Sequence, residues 1–206
     1  MTTAGRAARE IAESPTRLVL VRHGETEWSR SGRHTGRTDI PLTDLGRAQA
    51  ERLGLELGGR TFSRVLSSPL GRAVETCLLA GFGDRVEVVD DLREWDYGAY
   101  EGRTRVEIAA EIPGWTVWTH PIVGGESLAD VGRRADRVIA AALPIGGDVL
   151  MFAHGHILRI LAARWIEEPP ILGSRLELAT ATVSELGWEQ DRRVIEGWNA
   201  TPQPAK

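Results

Sequence analysis

Cysteine is nearly absent: Cys77 stands alone in a chain of 206 residues. A single thiol excludes an internal disulfide and any multi-cysteine metal site, and it fits a cytoplasmic protein. Long apolar runs are missing as well. No stretch approaches the ~18 consecutive apolar residues of a membrane span, so no membrane partner is expected. The opening MTTAGRAAREIAESPTR has no apolar centre of the kind a secretory signal needs, and residues 1–16 are expected to form a flexible tail. Charge of one sign is not in excess. A net charge of −4 argues against nucleic acid as a partner. Internal repeats and low-complexity segments are absent too. What is present, 42% hydrophobic and 26% charged residues, suits a globular chain able to bury a core without staples. Residues 17–206 are expected to form one domain, with 93–125 as a lid-like insertion.

The apolar pattern alternates between strand and helix. RLVLVR (17–22), SRVLSS (63–68), VEVVDDL (86–92) and DVLMFA (148–153) read as buried strands. A helix starting at Thr43 would bury Leu45, Ala48, Leu53 and Leu57; others follow Pro69, run through 126–143 and open at 156–166. A loop is expected from the first strand to Pro41, only a short helix near 103–111, and a hairpin near the end with its turn at Glu189–Asp191. The exposed edge of that hairpin could support a homodimer or stay free. Strands alternating with helices imply an α/β layered domain with a largely parallel sheet. In such sheets, ligands bind beyond the carboxyl ends of the strands.

Four strand ends carry chemistry. The first ends in Arg22-His23-Gly24, the second in SSPLGR with Arg72, the third runs on to Glu94, and the fourth ends in His154-Gly155-His156. On one rim these would set two histidines, two arginines and a carboxyl group around one cavity. Arginines are fork-shaped donors suited to phosphate, and a helix opening at Gly155 adds backbone N–H groups. A neutral His23, kept so by nearby guanidinium charge, can attack phosphorus. Glu94 can hold a proton for the leaving oxygen and afterwards activate water. Positive charge from these groups would leave no need for a metal or other cofactor.

LVRHGETEW, SSPLGRAVET, LREWDYGAYEG and FAHGH resemble the histidine phosphatase superfamily, the phosphoglycerate mutase-like proteins, over most of residues 17–165. The resemblance implies a three-layer α/β sandwich with a largely parallel central sheet and a small lid over the strand ends. It implies that His23 is the phosphorylated residue, that Arg22, Arg72 and His154 form the phosphate pocket, and that Glu94 is the proton donor. TEWSRSGRHTGRTDIPLT, DDLREWDYGAYEG and FAHGHILRILAARW look like the branch holding a sedoheptulose-1,7-bisphosphatase and small bacterial acid phosphatases. The mutases of the family typically have Trp-Asn where this chain has Trp28-Ser29, and a longer, more basic middle segment. The implied activity is hydrolysis of a small phosphorylated metabolite, such as a sugar phosphate or bisphosphate. The alternatives are a cofactor-dependent phosphoglycerate mutase and an inactive phosphate-binding scaffold.

Around this centre, Ser29 and Thr35 either donate to phosphate oxygens or shape a turn. Trp28, Trp95, Tyr97 and Tyr100 either line the substrate entrance or pack. Arg30, Arg33, His34 and Arg37 form a basic loop face, solvated or able to capture a second phosphate. His156 is expected to be structural, and Cys77 to lie in the core.

Overall fold

Every second residue of a strand faces the same side of its sheet, and the buried strands of this chain use both sides. In the computed structural model, which describes residues 15–202, Leu18 and Leu20 of β1 (Arg17–Arg22) join one apolar cluster, while Val19 and Val21 join another. Strand β4 (Asp148–Ala153) does the same, with Val149, Met151 and Ala153 on one side and Leu150 and Phe152 on the other. Each fully buried side chain of this size contributes about 1.5–3 kcal/mol. Helices α2 (Asp44–Leu57) and α3 (Gly71–Leu79) cover the second cluster. Helices α5 (Leu128–Ala142) and α6 (Gly155–Trp165) cover the first. Three layers follow from that division.

The six strands run in the order β3-β2-β4-β1-β5-β6, with β2 at Arg64–Ser67, β3 at Val86–Val88, β5 at Val183–Glu189 and β6 at Arg192–Ala200. The first four strands of that order are mutually parallel; β5 runs antiparallel to β1 and forms the expected hairpin with β6. The register aligns the carboxyl ends. Arg22 pairs with Ala153 and Ser67 with Phe152, and both ladders run one residue further, His23 N–H donating to Ala153 O at 3.0 Å and Ser68 N–H to Phe152 O at 2.9 Å. Three strands therefore release their chains at one level.

Several local expectations are corrected. The third strand stops at Val88, and Asp90–Leu92 turn as a 3₁₀ helix that carries the chain toward the rim. The stretch after β1 is not all loop: Glu27–Ser31 form α1, begun by a reciprocal cap between Thr26 and Ser29. Helix α2 buries Gly46, Ala50, Leu53 and Leu57, leaving Leu45 and Ala48 exposed. Its packing face is set by backbone contact at Gly46, where a Cβ would lie 2.1 Å from Glu25 O. Thr16, assigned to the flexible tail, is buried; its hydroxyl donates to Leu143 O and its carbonyl accepts from Trp188 Nε1. The rest of that tail up to residue 14 lies outside the described residues.

Residues 93–125 hold α4 (Arg105–Glu111), started by a Thr104/Glu107 cap. Their buried Trp95, Tyr97, Tyr100, Ile108 and Trp115 belong to the same cluster as α5 and α6, so this segment is anchored to the main core. No helix among the described residues is long and apolar enough to cross a membrane.

Candidate active site

His23 leaves β1 buried, 4% exposed, and its ring is oriented by its own neighbour. Nδ1 lies 2.7 Å from Gly24 O, which can only accept. Nδ1 therefore carries the hydrogen, and in the neutral ring Nε2 holds the lone pair. Neutrality is enforced: burial, then the charges of Arg72 and Arg22, hold the imidazole well below its usual 6.5. Guanidinium charge acts in the expected direction, but burial is the larger cause. The turn behind the ring needs a glycine, because a Cβ at Gly24 would lie 2.3 Å from Gly46 O.

Arg22 extends beside His23. Its Nη1 donates to Leu178 O, and its Nε is buried with no partner. A desolvated, unpaired guanidinium N–H is costly, and a ligand oxygen would satisfy it. Gly155 is adjacent: a Cβ there would lie 3.4 Å from Arg22 Cζ and 3.6 Å from Glu94 Oε2, ordinary contacts.

His154 and Arg72 sit behind this pair. The rings of His23 and His154 are 5.1 Å apart. Arg72 Nε donates to His154 Nδ1 at 3.2 Å, so the neutral ring turns its Nε2–H to Ser68 Oγ at 2.7 Å. Burial and then the charge of Arg72 hold His154 well below 6.5. Arg72 also donates to the carbonyls of Thr38, Thr35 and Gly36. Four of its five N–H groups are thus engaged. The structure brings both residues to the site, yet neither lines the cavity in front of His23. In this arrangement they hold the loop, set the charge around His23 and keep their donors turned inward, which differs from the direct phosphate grip the motifs imply.

Glu94 is placed by helix α6. Its oxygens accept from the backbone N–H of Trp95, His156 and Ile157 at 2.9–3.0 Å. The positive end of the helix favours a carboxyl group here. Glu94 takes two of the first three N–H groups of α6 and leaves that of Gly155. The rival acids are occupied elsewhere. Asp96 pairs with Arg37 at 2.8 Å, and Glu101 accepts from the N–H groups of Gly36 and Thr38.

A cavity of about 180 Å³ lies in front of His23, lined by Arg22, Glu94 and Gly155 and also by Ser29, Thr35 and Tyr97. The Ser29 hydroxyl donates to Thr26 O and caps α1, and the Thr35 hydroxyl donates to Arg33 O. Both reach the wall with their hydroxyl hydrogens engaged, so turn shaping describes them in this arrangement. Tyr97 OH is hydrogen-bonded to His156 Nδ1 at 2.6 Å. His156 was expected to be structural; it lines this cavity, and its main chain helps hold Glu94. Trp28, Trp95 and Tyr100 do not line it.

Three supporting residues escaped the sequence reading. Arg134 donates to the carbonyls of Asp91, Arg93 and Glu94 and pairs with Glu126, whose other oxygen accepts from Asp96 N–H. Together they fix the segment that presents Glu94. Thr76 accepts from Gly24 N–H at 3.0 Å and steadies the nucleophile's turn. Arg134 and Glu126 lie outside the quoted motifs and far along the chain from the residues they serve; Thr76 closes the SSPLGRAVET stretch, but its partner Gly24 is 52 residues away, so its role shows only in the fold.

Comparison with known proteins gives the family. Residues 18–201 match the model of the histidine phosphatase superfamily (branch 1). An acid phosphatase of Mycobacterium tuberculosis is 45% identical over 194 residues, covering 91% of this chain and 95% of that protein. Sedoheptulose 1,7-bisphosphatase of Saccharomyces cerevisiae is 37% identical over 182 residues, covering 72% of this chain and 67% of that one. The solved structure of the Mycobacterium tuberculosis open reading frame Rv3214 superposes with a TM-score of 0.86 at 43% identity, covering 91% and 99% of the two chains.

Proposed function

Since this chain belongs to the histidine phosphatase superfamily, we propose that it is a metal-independent phosphomonoesterase working through a phosphohistidine at His23. Its substrate is a small phosphorylated metabolite, in keeping with the acid phosphatase and sedoheptulose bisphosphatase it resembles. The observation that carries the mechanism is the His23 ring: Nδ1–H tied to Gly24 O, and a basic Nε2 in a cavity shared with an unpartnered Arg22 Nε.

In the first half-reaction the Nε2 lone pair forms a bond to phosphorus, and the ester P–O bond breaks. Its electron pair stays on the leaving oxygen, which takes a proton from Glu94. Arg22 and the Gly155 N–H stabilise the phosphoryl oxygens, with Arg72 adding charge from behind. In the second half-reaction water attacks phosphorus and gives its proton to the Glu94 carboxylate. The P–N bond breaks, and its pair returns to Nε2. A hydrolase needs that water to reach the phosphohistidine. The single buried thiol of Cys77 fits a cytoplasmic setting.

The test is single-turnover reaction with ³²P-labelled substrate, quenched in alkali because phosphohistidine is acid-labile. Alkali-stable label on the protein, lost in His23→Ala together with more than 99% of turnover, is the expected result, given the ~10⁶-fold losses when other nucleophiles are removed. Turnover retained in that variant refutes the covalent route. Supplying 3-phosphoglycerate with 2,3-bisphosphoglycerate should release free phosphate and no 2-phosphoglycerate; isomer formation would favour the mutase alternative.

A further inference from the structure

Among the described residues, the Arg22 guanidinium has one hydrogen-bond acceptor, Leu178 O, and no ion pair. A long side chain with so few partners samples several rotamers unless that acceptor is itself fixed. What fixes Leu178 therefore bears directly on the arginine beside His23.

Regular structure does not fix it. Residues 176–182 connect a short 3₁₀ helix (Pro170–Arg175) to β5 and form neither helix nor strand. The segment passes behind the nucleophile at Ala181, whose N–H is shared between Arg22 O and His23 O at 3.0 and 3.1 Å. Ala181 has a φ of 52°, in the left-handed region that side chains disfavour. Such a conformation persists only where the surroundings enforce it.

The holding contacts come from the far strand of the hairpin. Val183 pairs with Ala200 and Glu185 with Gly197, so Ser184 alone faces both Trp198 and Asn199. This is a β-bulge, a device that re-aims side chains at a sheet edge. Asn199 takes a φ of 57° there, which asparagine tolerates, and its N–H donates to Ser184 Oγ at 2.9 Å. Its Oδ1 is thereby turned to accept from Ala179 N–H at 2.8 Å. Trp198 Nε1 donates to Glu177 O. The two side chains hold the residues on either side of Leu178. Apart from Arg22, they are the hydrogen-bonding partners that 177–179 have outside their own segment.

We propose that Trp198 and Asn199 are positioning residues for Arg22: the bulge of β6 clamps 177–179, and Leu178 O then fixes the guanidinium where it meets a phosphoryl group. The edge hairpin contributes nothing to the wall of the cavity in front of His23, yet it sets how tightly that cavity holds phosphate. This rests on the part of the phosphatase reading that sets Arg22 on the phosphoryl oxygens. An arginine held in advance needs no reorganisation when charge develops on those oxygens.

Three variants test it. In Asn199→Gly the left-handed backbone is adopted freely and only the amide acceptor is lost. Asn199→Asp keeps an acceptor at the same place. Trp198→Phe keeps a ring and loses the donor. Binding of inorganic phosphate is measured by isothermal titration calorimetry, with kcat and KM for p-nitrophenyl phosphate and the thermal midpoint alongside. Asn199→Gly and Trp198→Phe should each weaken phosphate binding by about three- to tenfold, the scale of one hydrogen bond, and lower kcat in parallel. Asn199→Asp should stay within about twofold of the wild type. Unchanged phosphate affinity in both Asn199→Gly and Trp198→Phe overturns the proposal, and a lowered thermal midpoint beside it marks the bulge as structural only. Equal losses in Asn199→Gly and Asn199→Asp also overturn it, because the acceptor is then not what matters. Phosphate binding without hydrolysis in the wild type overturns the phosphatase reading and leaves the role of Trp198 and Asn199 to be decided by the titration. A wild type that binds no phosphate overturns both.

Discussion

Holding three histidines neutral in one site, His23 and His154 buried and His156 partly so, makes the fold sensitive to acid in a pH range where carboxylates are still ionised. His23, His154 and His156 are each held well below the ordinary 6.5, with burial the largest cause for all three. The unfolded chain takes up protons on these rings near 6.5, and the native state does not. The depressed native values mean that the stabilisation is fully present above 6.5 and is lost as pH falls below it. Between about pH 8 and about pH 5.5 each ring contributes a loss of up to about 1.4 kcal/mol, or about 4 kcal/mol for the three. That is a large share of the 5–15 kcal/mol typical of a domain. Urea unfolding followed by tryptophan fluorescence at half-unit pH steps reads it directly. The midpoint should be level above about pH 7.5 and fall steeply below about 6.5, before ordinary carboxylates near 4 contribute. His154→Gln provides the internal control, because its amide can still accept from Arg72 and donate to Ser68. Its midpoint should fall less steeply, by roughly the share of one ring. A midpoint unchanged from pH 8 to about 5.5 would refute the claim that the fold holds these rings neutral.

Two further expectations concern the packing around the nucleophile. Gly24→Ala would place a Cβ 2.3 Å from Gly46 O and 2.9 Å from its carbonyl carbon, backbone atoms of α2 that cannot turn aside. The thermal midpoint should drop by the equivalent of about 1–3 kcal/mol, with a parallel loss of kcat, whereas an unshifted midpoint would contradict the close approach. Cys77, buried and with its thiol pushed up to about 12 by desolvation, should not react with Ellman's reagent at neutral pH until urea unfolds the chain. Immediate stoichiometric release of thionitrobenzoate from the native protein would refute that.

Much of this molecule was readable one-dimensionally. Period-two and period-3.6 patterns are local, so the four parallel strands, the main helices and the closing hairpin could be read from apolar spacing. The rule that ligands collect at the carboxyl ends of parallel strands then puts His23, Arg72, Glu94 and His154 in one place. Where the reading slipped, a contact distant in sequence was responsible. Leu45 looked like a core position, but the backbone of Glu25 packs on Gly46 and turns the helix. VEVVDDL looked like one strand, but the chain leaves the sheet after Val88 to bring Glu94 to the rim.

The sequence alone determined which groups are present for phosphoryl transfer, because strand ends and helix starts are written locally in residue type. Tertiary structure decided what each group is free to do. Whether an arginine grips a ligand or a loop depends on which acceptors lie within hydrogen-bond reach. Those acceptors come from segments tens of residues away, as with Arg72 and the carbonyls of Thr35, Gly36 and Thr38. The same physics separates Arg30 and Arg37, which meet carboxylates, from Arg105, Arg159 and Arg175, which do not. Charge is a property of the residue, but counter-charge is a property of the fold.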